Sequence, residues 1–534
     1  MSLRDCFPSE FTPSTNQATL INEIESAFSS GYKFVICCAP TGSGKSLISK
    51  TLGNAAAECT EEFEESVNTY EIFKRDKYGE FSAEQNAPFG SFVLTITKSL
   101  QDQYKSLFKD LDILKGQSNY QCSYDENYTV STAPCLHINT LKSQCWAKNS
   151  CPYYKQRNTV LTSKFAALNY DMFLALPAHV KSREYIICDE ASELEDQLVK
   201  KFTCTLNFKN LRKNNIIVPP VPTNANRAAL EKWLISFSDV IDTKINTLKN
   251  AINKKTKSNK QSESVALSYL LNVKNDIKVL INTWYDSEYI FERNAEGVVF
   301  TPFKVDKLAT HIFSYGEKVL LMSATIIDPE NFAKSLGITK FKYIESPSSF
   351  DPQKAPIHIA SNTKLNYYNL QSNLPKIAKT IKSICDLHKN EKGIIHTQTN
   401  AITSYLSKNL NIDRIIYREP GVNNEEILAQ HTQATTPTII ASPSMLYGVD
   451  LKDDLARFQI IIKAPYLPLG DKRIKQMPPV WYTNKMLAAL IQACGRGIRS
   501  KKDHCITYIL DYSIADAVIT NKHKLPKYFV ERFV

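Results

Sequence analysis

The sequence predicts an α/β protein of two domains, each a parallel sheet with helices on both faces, the first carrying two insertions. Three observations predict it. Short apolar runs alternate with helical patterns in two separate blocks, and buried strands divided by helices are the pattern of parallel sheets. The first block breaks off twice, once for an irregular Cys- and Tyr-rich stretch and once for a long helical one. At roughly 100–200 residues per domain, a chain of 534 residues has room for about three or four such units.

The first block reads "KFVICC" (33–38), "SFVLTIT" (91–97), "EYIICDE" (184–190) and "KVLLMSAT" (318–325). The second reads "KGIIHTQ" (392–398), "RIIYR" (414–418), "TIIASP" (438–443), "FQIIIKAP" (458–465) and "HCITYIL" (504–510). In the helical interruption Leu230, Trp233, Leu234, Phe237, Ile241, Ile245 and Leu248 recur at helical spacing. A second such pattern follows the polar connector "NKKTKSNKQSES". Together they predict a long antiparallel helical hairpin, whether a support or a nucleic-acid contact.

Composition fits an ordinary globular protein, 43% hydrophobic and 22% charged. The net charge of +11 permits a polyanionic partner without requiring one. No apolar run approaches the roughly 18 residues of a membrane span. "MSLRDCFPSEF" places acids and a proline where a signal peptide needs an apolar stretch, so a cytosolic location is expected. In a reducing compartment Cys37, Cys38 and Cys188, inside strand-like runs, read as small buried hydrophobes.

Between the first strand and a helix, "APTGSGKS" matches GxxxxGK[ST] except for Ala39 at the first glycine. Across Thr41, Gly42, Ser43 and Gly44 the backbone can wrap phosphates without obstruction, its N–H groups and the helix N-terminus facing the negative charge. Lys45 is placed to reach the outer phosphates and Ser46 to offer its hydroxyl to Mg²⁺. Asp189 and Glu190 end another apolar strand, where side chains emerge beside the phosphate loop. Asp189 is expected to hold Mg²⁺ through water and Glu190 to polarise the attacking water. In "QACGRGIRS", Gln492, Arg496 and Arg499 fall at i, i+4 and i+7, which predicts one helical face presenting an amide and two guanidiniums to a γ-phosphate. Offered by the second domain to a nucleotide on the first, they would turn hydrolysis into domain motion.

Cys122, Cys135, Cys145 and Cys151 are separated by 12, 9 and 5 residues. Four thiols in a reducing compartment read as a metal site. Zinc is one occupant, although close CxxC pairs are absent, and buried structural cysteines without metal are another reading.

Taken in order, the motifs resemble superfamily 2 helicases, specifically the DinG/XPD family, over nearly the whole chain. "FTPSTNQ", with Gln17, is similar to the adenine-contacting Q motif. "TITKSLQDQ", with Thr97, Leu100, Gln101 and Gln103, is similar to motif Ia. "DEAS" stands for motif II, "SAT" (Ser323 to Thr325) for motif III, "YGVDL" (Gly448, Asp450) for motif V and "QACGRGIR" for motif VI. Ser192 replaces the motif II histidine, and Ser14 stands where the Q motif carries arginine. The resemblance implies two RecA-like motor domains, one of residues 1–99, 169–204 and 306–330 and one of 331–534. It implies an iron–sulfur insertion at 100–168 and a helical arch at 205–305. It also implies ATP, Mg²⁺ and a [4Fe–4S] cluster on Cys122, Cys135, Cys145 and Cys151. The expected activity is that of a monomeric ATP-dependent DNA helicase moving 5′ to 3′ on single-stranded DNA and opening tailed duplexes. Action on RNA–DNA hybrids, or an ATP-gated clamp without robust unwinding, are the alternatives. Tyr120, Trp146, Tyr153, Tyr154, Lys148, Lys155 and Arg157 are expected either to contact the strand or to pack around the cluster.

Overall fold

The computed structural model describes the chain except residues 1, 41, 69–87, 137, 139–140, 142–143, 146–149, 224, 255–260, 348–350, 423, 444–450, 452 and 498–502. Thr41, Trp146, Lys148, Gly448, Asp450 and Arg499 therefore lie outside the described residues.

The two expected sheets form, both wholly parallel. The first runs, edge to edge, Phe341–Glu345, Phe34–Cys38, Gly316–Ser323, Arg183–Asp189, Ser91–Thr95, Phe165–Asn169 and Asp112–Ile113. The second runs Ile357–Ile359, Ile506–Ile509, Phe458–Ile461, Gly393–His396, Ile439–Ser442 and Ile415–Tyr417. All nine apolar runs read from the sequence are strands. Seven of them are buried through most of their length because both sheet faces are covered, whereas Ile415–Tyr417 and Ile506–Ile509 are only partly buried. Cys37, Cys38 and Cys188 lie in that core, fully buried.

Several strands cross the expected boundaries. Phe341–Glu345 pairs with Phe34–Cys38 in the first sheet, so that sheet extends past residue 331 into the stretch read as the second domain. Asp112–Ile113, Phe165–Asn169 and the helix Lys98–Leu107 belong to the first domain, although 100–168 reads as insertion. These strands escape the pattern for physical reasons. "FKYIE" is an edge strand that buries only Ile344, "FAALN" lacks β-branched residues, and the third has two residues.

Helices Arg227–Lys254 and Gln261–Asn282 pack antiparallel. Tyr285 donates to Glu231 at 2.7 Å near one end, and Lys274 pairs with Asp242 further along. A three-stranded antiparallel sheet not foreseen from the sequence, Cys204–Asn207, Gly297–Pro302 and Tyr289–Arg293, roots this hairpin. Leu206, Val298 and Phe300 share one core with Trp233, Phe237, Leu270 and Ile277. The hairpin also touches the cysteine-rich insertion: Ser268 Oγ donates to the Ser131 carbonyl at 2.8 Å, and Leu136 packs on the hairpin core. Among the described residues no helix is long and apolar enough to cross a membrane.

Candidate active site

The site forms at the C-terminal edge of the first sheet. There the strand Gly316–Ser323 lies between Phe34–Cys38 and Arg183–Asp189. That order brings three distant segments into contact, and the Ala39 N–H donates to the Ser323 carbonyl at 2.9 Å. The chain then turns through Gly42 and Gly44, both left-handed at φ 77° and 81°, into the helix Lys45–Ala55. At Gly44 the left-handed backbone disfavours any side chain, and a Cβ there would also lie 2.0 Å from Gln17 Nε2 and push that amide off the loop.

Gln17 holds this loop from outside. Its Nε2 donates to the Ser43 carbonyl at 3.1 Å, while its Oε1 accepts the Ser14 N–H at 2.9 Å. Ser14 accepts the Gln17 N–H in return at 3.3 Å, closing a capping box at the start of Thr15–Ser29. Serine at position 14 is thus the helix cap, and the cap is what aims the glutamine. Lys45 Nζ rests on the Ala39 carbonyl at 3.3 Å.

Asp189 is buried with both oxygens engaged. Oδ1 accepts the Glu190 N–H at 3.0 Å and Oδ2 accepts the Tyr104 hydroxyl at 3.0 Å. Burial, and then the neighbouring Glu190, raise its pKa to about 6, against the pull of Lys45 and these hydrogen bonds. Two carboxylates crowded beside one lysine call for a further cation. The hydroxyl of Ser46, near Tyr104, and the Asp189 carboxylate are the hard oxygen donors that Mg²⁺ takes. Glu190 sits in the left-handed region at φ 49°, a strained conformation of the kind that gathers at working sites.

From Glu190 a single chain of hydrogen bonds crosses to the second domain. Ser323 Oγ donates to Glu190 Oε2 at 3.3 Å, and Ser192 Oγ lies 2.9 Å from Ser323 Oγ. Thr325 Oγ1 donates to Ser192 Oγ at 3.1 Å, and Gln492 Nε2 donates to Thr325 Oγ1 at 3.3 Å. Each hydroxyl has one proton to give. The order of donation is therefore fixed as Gln492, Thr325, Ser192, Ser323, Glu190, and such a chain polarises cooperatively. Ser192 is the middle link. A cavity of about 470 Å³, lined by Ser192, Thr325, Phe303, Phe332, Met477 and Trp481 among others, opens beside it between the two motor domains.

One expectation is corrected. The helix Pro479–Cys494 ends before Arg496, so Arg496 does not continue the helical face that carries Gln492. Glycines flank Arg496, and a Cβ at Gly497 would meet Cys505 Sγ at 2.5 Å and the Ala456 carbonyl at 3.0 Å, so the chain turns tightly against the second sheet there. In that turn Arg496 is near His396, whose imidazole burial first, and this guanidinium after it, hold down to about 4. Gln101 of the segment similar to motif Ia is buried, donating to the Leu114 and Ala167 carbonyls at 3.3 and 3.1 Å. Arg157 is 4% exposed, which favours the packing reading over strand contact.

A buried charge cluster that the sequence reading missed sits beside the hydroxyl chain. Glu195 Oε1 accepts Arg473 Nη2 at 2.5 Å and Oε2 accepts Trp481 Nε1 at 2.8 Å. Lys485 lies 3.7 Å from Glu195 and donates to Asp196 at 2.7 Å. Burial, with Asp196 and Glu190 nearby, raises Glu193 to about 7 against the pull of Lys485. Only the position of these acids, immediately after "DEAS", was a signal.

Two of the four cysteines share one small nucleus, and the other two lie near it. Cys122 is buried with Tyr128 and Ala133, and Cys135 packs against them. Cys151 opens the helix Pro152–Thr162. Burial pushes its thiol up, as do Cys145 and Cys122 nearby, while the N–H groups of Tyr154 and Tyr153 aimed at the sulfur favour the thiolate. Tyr120, Tyr153 and Tyr154 stack edge to face at 5.5 and 5.2 Å, packing around the cysteines. Four thiols with helix N–H groups on one sulfur fit the donor chemistry of a thiolate-bound cluster. Among the described residues, no three His, Cys, Asp or Glu side chains are grouped closely enough to hold a metal ion.

Residues 395–531 match the Helicase C-terminal domain family. The ATP-dependent DNA helicase CHL1 of Vanderwaltozyma polyspora is 20% identical over 554 residues, covering 82% of this chain. The chain spans 66% of the length of that relative. A solved XPD helicase superposes with a TM-score of 0.58 at 15% identity, covering 96% of this chain and 98% of that one. S. tokodaii Xpd4 superposes with a TM-score of 0.54 at 15% identity, covering 96% and 99%. These likenesses establish the fold as two RecA-like domains. The chain is thus similar to the Helicase C-terminal domain family over residues 395–531, and to a DNA helicase and the XPD helicases over most of its length.

Proposed function

We propose that the protein is an ATP-dependent DNA helicase that moves 5′ to 3′ on single-stranded DNA and opens tailed duplexes. The observation that carries this reading is the hydrogen-bond chain from Gln492 through Thr325, Ser192 and Ser323 to Glu190. It ties the carboxylate that would orient the attacking water to the position of the second motor domain. A clamp that merely bound ATP would have no need of such a link.

In this reading the turn at Gly42 to Gly44 wraps the phosphates, Lys45 leaves the Ala39 carbonyl for the outer phosphates, and Gln17 faces the base. Ser46 and Asp189 would hold Mg²⁺, whose contribution when bound is to neutralise charge on the transferred phosphoryl group. Glu190, held in its strained conformation, aligns a water for attack. Gln492, Arg496 and Arg499 complete the site from the second domain, and Thr41 and Asp450 belong to the nucleotide-binding set. Cys122, Cys135, Cys145 and Cys151 would hold a [4Fe–4S] cluster, which staples an insertion too poor in apolar surface to order itself. The insertion rests on the helical arch through Ser131 and Leu136, so cluster and arch form one gate for the strand.

The test is anaerobic purification with iron and zinc analysis, followed by unwinding of 5′-tailed and 3′-tailed DNA duplexes beside an RNA–DNA hybrid. Iron near four per chain and opening of the 5′-tailed duplex are expected. Zinc in place of iron, or DNA-stimulated hydrolysis without strand separation, would overturn the corresponding part.

A further inference from the structure

The helix Lys98–Leu107 contributes to the nucleotide site a residue that none of its motifs names. Tyr104 is 2% exposed, and its hydroxyl lies 3.0 Å from Asp189 Oδ2 and 3.1 Å from Ser49 Oγ. A phenol has one proton, and an ionised carboxylate accepts only, so the phenol donates to Asp189; the Ser49 hydroxyl also donates to the Lys45 carbonyl at 3.3 Å. The other carboxylate oxygen is fixed by the Glu190 N–H at 3.0 Å. We propose that Tyr104 is a positioning residue for the Mg²⁺-binding carboxylate, locking Asp189 in the one orientation that serves a metal shared with Ser46. This rests on the nucleotide-site reading above. The tyrosine ring is held independently, against Phe108 at 6.3 Å and in the core with Phe165 and Ile48, so Tyr104→Phe removes the hydroxyl and leaves the packing.

The experiment titrates Mg²⁺ against binding of a fluorescent, non-hydrolysable ATP analogue to the full chain, with a parallel measurement in EDTA. Tyr104→Phe should raise the Mg²⁺ concentration for half-maximal binding about tenfold, the effect of losing one hydrogen bond to a charged group, and leave binding in EDTA within about twofold. Ser49→Ala, which spares the phenol–carboxylate bond, should leave the Mg²⁺ midpoint unchanged. An unshifted midpoint in Tyr104→Phe, an equal loss with and without Mg²⁺, or an equal shift in Ser49→Ala would overturn the assignment. If the unsubstituted protein shows no Mg²⁺-dependent binding that Lys45→Ala abolishes, the nucleotide-site reading falls and takes this assignment with it.

Discussion

Glu195→Ala should loosen the junction between the motor domains. The Glu195 and Arg473 side chains are 7% and 5% exposed, so deleting the carboxylate strands a guanidinium in a dry interface. Breaking a buried pair from one side costs about 3–5 kcal/mol. Two features set the value here. Arg473 keeps its bond to the Phe303 carbonyl at 3.1 Å and Lys485 keeps Asp196 at 2.7 Å, which reduces the loss. Trp481 Nε1 loses its acceptor, which adds about 1 kcal/mol. The net expectation is about 3 kcal/mol, near a hundredfold shift toward the open arrangement. Lys524 on Asp328 and Tyr528 on the Ala324 carbonyl, both at 2.7 Å, still join the domains elsewhere, so the shift is a hinge-like opening and not separation. Single-molecule fluorescence transfer between dyes on the two domains, without nucleotide, measures it. Replacing both partners with methionine should recover most of the loss, since apolar packing substitutes well for a buried pair. An unchanged distance distribution in Glu195→Ala, or a double variant as open as the sum of the single ones, would refute the argument.

Three further outcomes are expected. Ser192→Ala removes the middle hydroxyl of the chain between Thr325 and Ser323, so hydrolysis per strand opened should rise several-fold while nucleotide affinity holds, and Ser192→His should restore coupling; equal coupling in all three proteins, by paired ATPase and unwinding assays, counts against the relay. Glu193 is raised from its ordinary value to about 7, so its contribution to stability is full below about pH 4 and is lost as pH rises through 7. The half-buried group is worth about 1–2 kcal/mol after screening, and denaturant unfolding of Glu193→Gln between pH 5 and 8 should show a correspondingly flatter profile. Cys145→Ser should lower bound iron and bleach the visible absorption of the anaerobic protein while sparing ATP-analogue binding, and retention of full iron would remove Cys145 from the ligand set.

The sequence by itself determined the two parallel sheets, the phosphate loop, the acidic strand end and the long hairpin. Each is written in local pattern: unbroken apolar runs where both sheet faces are covered, glycines where a loop must turn left-handed, and helical spacing where one face is buried. It also marked the four cysteines, because thiols are rare enough for their density to stand out. Edge strands such as Phe341–Glu345 were not legible, since a half-exposed strand carries little apolar signal. Tertiary structure alone decided the connections. Strand order put Ser323 between the phosphate loop and Asp189, which made a hydroxyl at position 192 sufficient to reach Gln492. Glycine and close packing at Gly497, not the i, i+4 spacing, decided where Arg496 stands. Tyr104 and Glu195 look like an ordinary helical tyrosine and an ordinary surface acid, because the partners that give them meaning, Asp189 and Arg473, lie 85 and 278 residues away in the chain.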